Sequence, residues 1–175
     1  MSQKKSLPAR KTADSEINKI MPFSKDKELR ERYINFFGAL RLGKLLEDLD
    51  LIAGQVAYKH TEGWERKLTI VTAACDRIDL LGDLKIDRDL QLLASINWVG
   101  KSSLEVGIRI SSKESNNWKR VARAYFIMVA RQKGKARNVN PLEPVKNEEK
   151  RRFQQGALRQ QQRREIAQTS YLLNT

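Results

Sequence analysis

GALRLGKLLEDLDLIAGQVAYKH, residues 38–60, decides the fold. Leu42, Leu45, Leu46, Leu49, Ile52, Ala53, Val56 and Ala57 recur at the three- and four-residue spacing of one helical face. The stretch therefore predicts a long helix, entered through a glycine turn, that buries one stripe. At about 100° per residue, Asp50 stands roughly a quarter-turn from the middle of that stripe, beside Ala53 and Ala57. Two readings of the acid stand. It is solvated on the helix flank, as most helix carboxylates are, or it sits where the packed face meets its partner. Glu47 and Asp48 point away from the stripe and are expected in solvent. His60 lies about 15 Å further along the axis and is expected to be structural.

Upstream, residues 1–15 read as an extended basic arm, Glu16 to Phe23 as a short strand ending at Pro22, and Lys25 to Tyr33 as a helical turn. Thr61-Glu62-Gly63 ends the long helix, with glycine where a helix end favours it. The period then changes from 3.6 to 2. Leu68–Leu81 is rich in β-branched residues, Asp89–Val99 is a second strand, and Val121–Ala130 is apolar on both faces. Between them, Leu104, Val106, Ile108 and Ile110 alternate with Glu105, Gly107 and Arg109, the pattern of a half-buried strand. Pro141 and Pro144 hold the next stretch extended. Residues 146–168 form a charged, Gln-rich helix whose apolar content is too thin to stand without a surface to lie on. One long helix followed by four antiparallel strands is an α+β plan, with the sheet curled around the helix.

Composition bounds the rest. A chain of 175 residues, 40% apolar with three Trp, suits one globular core with appendages. No apolar run approaches the roughly 20 residues that span a bilayer. One Cys (Cys75) and one His leave no internal disulfide and no recognisable zinc site. The net charge of +13 sits at the ends: residues 1–12 carry +4, residues 131–165 carry +7 and residues 13–130 only +2. Such ends suit RNA, an anionic membrane or an acidic protein surface, or serve solubility alone. The first dozen residues give only a weak presequence pattern.

Taken in order, the 38–60 helix, VTAACDRIDLL (71–81), INWVGKSSLEVGIRI (96–110), VARAYFIMVA (121–130) and NPLEPVKNEEKRRF (140–153) resemble the acyl-CoA thioesterases of the hotdog fold. In that fold a curled antiparallel sheet wraps one long central helix. The match covers roughly residues 28–155. It is strongest to the first of two tandem hotdog domains in the mitochondrial, acyl-CoA thioesterase 9-like group. The resemblance implies residues 1–15 as a basic extension, 16–140 as a single hotdog domain, and 141–175 as linker and C-terminal helix.

It also implies a reaction, hydrolysis of a fatty acyl-CoA to acid and CoA, with CoA present only as part of the substrate and no metal or separate cofactor. Asp50 takes the place of the family's helix acid, as general base or nucleophile. The glycine turn, Gly38 and Gly43, would offer backbone N–H groups to an oxyanion. Val99, Gly100, Lys101, Ser102 and Ser103 resemble the segment that contacts CoA, with Lys101 suited to a phosphate.

Family sites are built across two hotdog units, one giving the acid and the other an Asn or His from its turn. Alignment on the glycines puts Ala39 at that polar position, which leaves the site incomplete in this chain. Two readings follow. One is a thioesterase subunit completed by a second hotdog chain or a homodimer. The other is an inactive, thioesterase-derived subunit of a mitochondrial assembly such as the ribosome, its residues 1–12 and 131–165 touching RNA or protein.

Overall fold

The computed structural model describes residues 6–173, with side chains through Thr169; Lys4 and Lys5 of the basic arm lie outside them. In chain order the elements are β1 (Arg10–Lys11), β2 (Ile17–Met21), α1 (Lys27–Tyr33), α2 (Leu42–Thr61), β3 (Thr69–Leu80), β4 (Leu90–Val99), β5 (Ser103–Glu114), β6 (Asn117–Gln132), β7 (Lys135–Ala136), β8 (Leu142–Glu143) and α3 (Asn147–Leu173). The main sheet is antiparallel in the order β2-β4-β5-β6-β3, and β7 folds back on β6. The four strands after α2 are thus consecutive in sequence but not in space. β3 lies at the far edge beside β6, and β2 takes the place next to β4.

The helix stripe does what its spacing predicts. Leu45, Leu49, Ile52, Ala53, Val56 and Ala57 are buried against Leu92, Ala94, Ile96, Val106, Ile108, Ala124 and Phe126 on the concave side of the sheet. Leu42, the first helical residue, is left 41% exposed. The helix end departs from expectation. Glu62, not Gly63, takes the left-handed conformation (φ 51°). Gly63 is needed for space, because a Cβ there would come within 2.5 Å of the Tyr58 ring.

The convex side is covered too. The expected half-buried strand at 104–111 is buried on both faces from Leu104 to Ile108, because α3 lies over Glu105 and the Asn97 side chain over Gly107. Gly156 of α3 packs so close to Trp98 that a Cβ would meet its Cβ at 2.6 Å. Glu105, fully buried, is held by Arg159 (3.0 and 2.6 Å) and by the Asn97 amide (3.1 Å). Arg163 of α3 pairs with Asp76 at 2.8 Å. The Gln-rich helix finds its surface on its own domain, and part of its basic charge is spent there. The N-terminal arm is tied down as well. β1 runs parallel to β8, Arg10 pairs with Glu62 at 2.7 Å, and the Asn140 amide donates to the Pro8 carbonyl at 3.1 Å.

Candidate active site

Asp50 is the ninth residue of α2 and is exposed on the side of the helix that faces β3. Thr72 Oγ1 donates to its Oδ1 at 2.8 Å. A register shift between Thr72 and Ala74 bulges β3 at this point, and such bulges re-aim side chains. Thr72 was not singled out from the sequence, since a strand of twelve residues hides which one turns to the helix.

The Asp50–Thr72 pair stands at the wall of an open groove of about 700 Å³. Ile17, Leu51, Ile70 and Met128 give the groove an apolar lining, with Gly54 beneath. Tyr58 and Trp64 stack at 4.3 Å along it, and the Tyr58 hydroxyl accepts from the Ile70 N–H at 3.2 Å. A groove of this size and polarity accepts a linear apolar chain, with one carboxylate at its side. Cys75, the nearby thiol, is held above its ordinary range by burial and by the Asp76 and Asp50 carboxylates, so it is a poor nucleophile at neutral pH.

The turn ahead of α2 is ordered by Asn35. Its Oδ1 accepts from the N–H of Phe37 (2.9 Å) and of Ala39 (3.0 Å), which fixes the amide's orientation. Its Nδ2 makes no hydrogen bond among the described residues. Gly38 adopts φ +76°, and its N–H donates to the Asn35 carbonyl at 3.0 Å, so the turn itself uses that group. Gly43 differs. As the second residue of α2 its N–H has no carbonyl one turn back to meet. Ala39 does stand in this turn without a polar side chain, but a polar amide, that of Asn35, is present four residues earlier. Gly43 and Asp50 of one chain are about 10 Å apart along the helix axis, and Asn35 lies beyond the helix start.

The turn 99–103 lies at the same end of the sheet. Leu104, Met128 and Thr72 form one cross-strand row, and Ser103, Val129 and Val71 form the next. Ser103 is therefore two strands from β3, roughly 10 Å. The turn backbone is pinned by Gly100 N–H to Ser103 O (2.8 Å), Ala130 N–H to Ser102 O and Val139 N–H to Lys101 O (both 2.9 Å), which leaves the Lys101 side chain exposed.

The other candidates resolve into structure. His60 is fully buried, and its Nε2–H donates to the Asn140 carbonyl at 2.9 Å. Asp48 is not in solvent as expected but accepts from the Tyr33 hydroxyl. Burial first, and then that carboxylate, hold the Tyr33 phenol well above its usual range. Among the described residues no three His, Cys, Asp or Glu side chains gather as a metal would require, and no helix is long and apolar enough to cross a membrane.

A long helix cradled by a curled antiparallel sheet, with a carboxylate at its edge over an apolar groove, defines a hotdog thioesterase domain. Residues 37–119 match the model of the thioesterase superfamily, and the chain belongs to that family. It is 37% identical over 173 residues to human mitochondrial acyl-coenzyme A thioesterase 9, covering 95% of this chain but 39% of that protein. Protein VdlD of Helicobacter pylori is 34% identical over 140 residues, 79% of this chain and 75% of that one. The chain thus spans about two-fifths of the length of the mammalian mitochondrial relative. An acyl-CoA hydrolase from Staphylococcus aureus, solved with butyryl coenzyme A, coenzyme A and coenzyme A disulfide, superposes with a TM-score of 0.79 at 26% identity, over 96% of this chain and all of that one.

Proposed function

We propose that this chain hydrolyses acyl-CoA thioesters at a site shared between two copies. The observation that carries the reading is the Asp50–Thr72 hydrogen bond at the wall of the apolar groove. The acyl chain lies along Leu51, Ile70 and Met128, and its thioester carbonyl reaches Asp50. Asp50 takes a proton from water as the water oxygen bonds to the carbonyl carbon. The oxyanion so formed accepts from the Asn35 Nδ2–H and the Gly43 N–H of the second copy. Collapse breaks the C–S bond, and the CoA thiolate leaves and takes the proton back from Asp50. Free acid and CoA result.

The second copy has a place to bind. β3 is a twelve-residue edge strand, unpaired on its outer side among the described residues and mostly exposed, which is a ready template for another strand. Phe36 and Phe37, at 97% and 88% exposure, project from the turn that carries Asn35, and a partner would cover them. Variants of the Staphylococcus hydrolase have been solved with an aspartate, a threonine and an asparagine each replaced by alanine. The asparagine precedes the aspartate there by the separation of Asn35 from Asp50 here. In this reading the Val99–Ser103 turn meets the CoA moiety, with the exposed Lys101 on a phosphate. The mitochondrial relatives favour the same compartment for this protein. An inactive assembly subunit has less behind it, since Arg159 and Arg163 of the basic helix pair with the domain's own acids. Hydrolysis of a fatty acyl-CoA by the purified chain, compared with Asp50→Asn, tests the reading.

A further inference from the structure

We propose that the cleft between the first turns of α3 and the outer face of β5 and β6 binds a phosphate group. Arg109 and Arg123 are direct cross-strand partners, so two guanidinium-bearing side chains stand next to each other on one face of the sheet. Like charges in that position repel. α3 brings Arg151 and Arg152 down over them, and Arg120 adds a fifth guanidinium at the rim. The five line a cleft of about 50 Å³, which takes one phosphoryl group and leaves the rest of the molecule that carries it outside.

One carboxylate stands among these cations. Glu148 is divided between Arg109 (2.8 Å) and Arg152 (2.9 Å). Among the described residues, Arg120, Arg123 and Arg151 have no carboxylate within ion-pair distance, and the buried Nε–H groups of Arg123 and Arg152 have no acceptor. Guanidinium groups without a counter-charge that line one cleft are what a tetrahedral oxyanion satisfies, because the planar fork matches two of its oxygens at once.

The site is separate from the groove. The sheet stands between them, and the cleft shares no residue with the lining around Asp50 or with the 99–103 turn. A thioester presented to Asp50 of the same chain does not put its own phosphates here. Arg109, Arg123 and Arg152 are half-buried in the cleft, with Arg120 and Arg151 exposed at its rim, which favours a small phosphate compound over RNA following an outward basic surface.

Calorimetric titration of the full chain at constant, physiological ionic strength tests this, with pyrophosphate as the first probe. Pyrophosphate is expected to bind the wild type, and to bind Arg120→Gln/Arg123→Gln about tenfold more weakly or worse, since each guanidinium contributes a charge-assisted bond. That variant removes no ion pair of the fold, and its unfolding midpoint reports that it is intact. Asp50→Asn is expected to keep full pyrophosphate binding while losing hydrolysis, so failure of this site and of the thioesterase reading are distinguishable. ADP, CoA and dephospho-CoA then identify the source. ADP binding lost in the double variant points to a nucleotide, and a preference for CoA over dephospho-CoA that the double variant abolishes points to the 3′-phosphate; either supports the site. No pyrophosphate binding at millimolar probe, an unchanged Kd in the double variant, or capture of an RNA oligomer that pyrophosphate does not displace would overturn it.

Discussion

Thr72 Oγ1 donates to Asp50 Oδ1 at 2.8 Å, across the gap between the edge strand and the central helix. The bond takes up one lone pair of the carboxylate and holds it over the groove. Replacing Thr72 by Val keeps the shape and removes the donor. The expected result is a kcat about tenfold lower, the worth of one hydrogen bond to a charged group, with KM little changed and activity rescued by Thr72→Ser. Steady-state kinetics on the three proteins decide it.

Asn35 has two jobs that one substitution separates. Its Oδ1 caps the turn by accepting from Phe37 and Ala39, while its Nδ2–H groups, unbonded among the described residues, are the donors proposed for the oxyanion. Asn35→Asp keeps the acceptor and loses the donor. The melting temperature should stay nearly constant while kcat falls roughly a hundredfold. Mixing Asn35→Asp with Asp50→Asn chains should then restore activity to about a quarter of wild type, because half of the dimers are mixed and each rebuilds one of its two sites. A site contained within one chain would give no recovery on mixing.

His60 makes stability depend on pH. Burial lowers its folded pKa below the ordinary 6.5, only partly opposed by its bond to the Asn140 carbonyl. Below about pH 6.5 the unfolded chain binds a proton that the folded one resists, so folding free energy falls as pH drops toward the folded value. Above pH 6.5 this contribution is fully present. Melting curves between pH 7.5 and 5 should show the loss, and His60→Gln should flatten it.

Glu105 ties α3 to the sheet. It is fully buried and accepts from Arg159 and Asn97, while Arg159 also lies over the Tyr125 ring at 4.3 Å. Glu105→Gln leaves the guanidinium without its counter-charge and should cost about 3 kcal/mol in urea unfolding. Retained stability in that variant would mean that α3 is held by other contacts.

The residues show why some of this was legible in sequence and some was not. The α2 stripe has a 3.6 period over sixteen positions, so helix, buried face and the odd place of Asp50 all follow from spacing. Strand extents follow likewise from period 2. Strand order does not, because nothing local tells β3 to pair with β6 instead of β4. The alternation of Glu105, Gly107 and Arg109 with apolar residues looks like a solvated face. Glu105 is buried there because α3, distant in sequence, covers it. Asn35 is not legible from the glycine spacing, which leads to Ala39; only the turn's own hydrogen bonds, to Phe37 and Ala39, mark its amide.

The most direct measurement is the rate at which the purified chain hydrolyses a fatty acyl-CoA, wild type against Asp50→Asn. The account predicts turnover by the wild type and a kcat lower by a factor of about 10²–10⁴ in the variant, the loss expected when a general base is removed, with the fold and the groove unchanged. Equal rates for the two proteins, or a wild type no faster than uncatalysed hydrolysis at concentrations where it is a dimer, would contradict it.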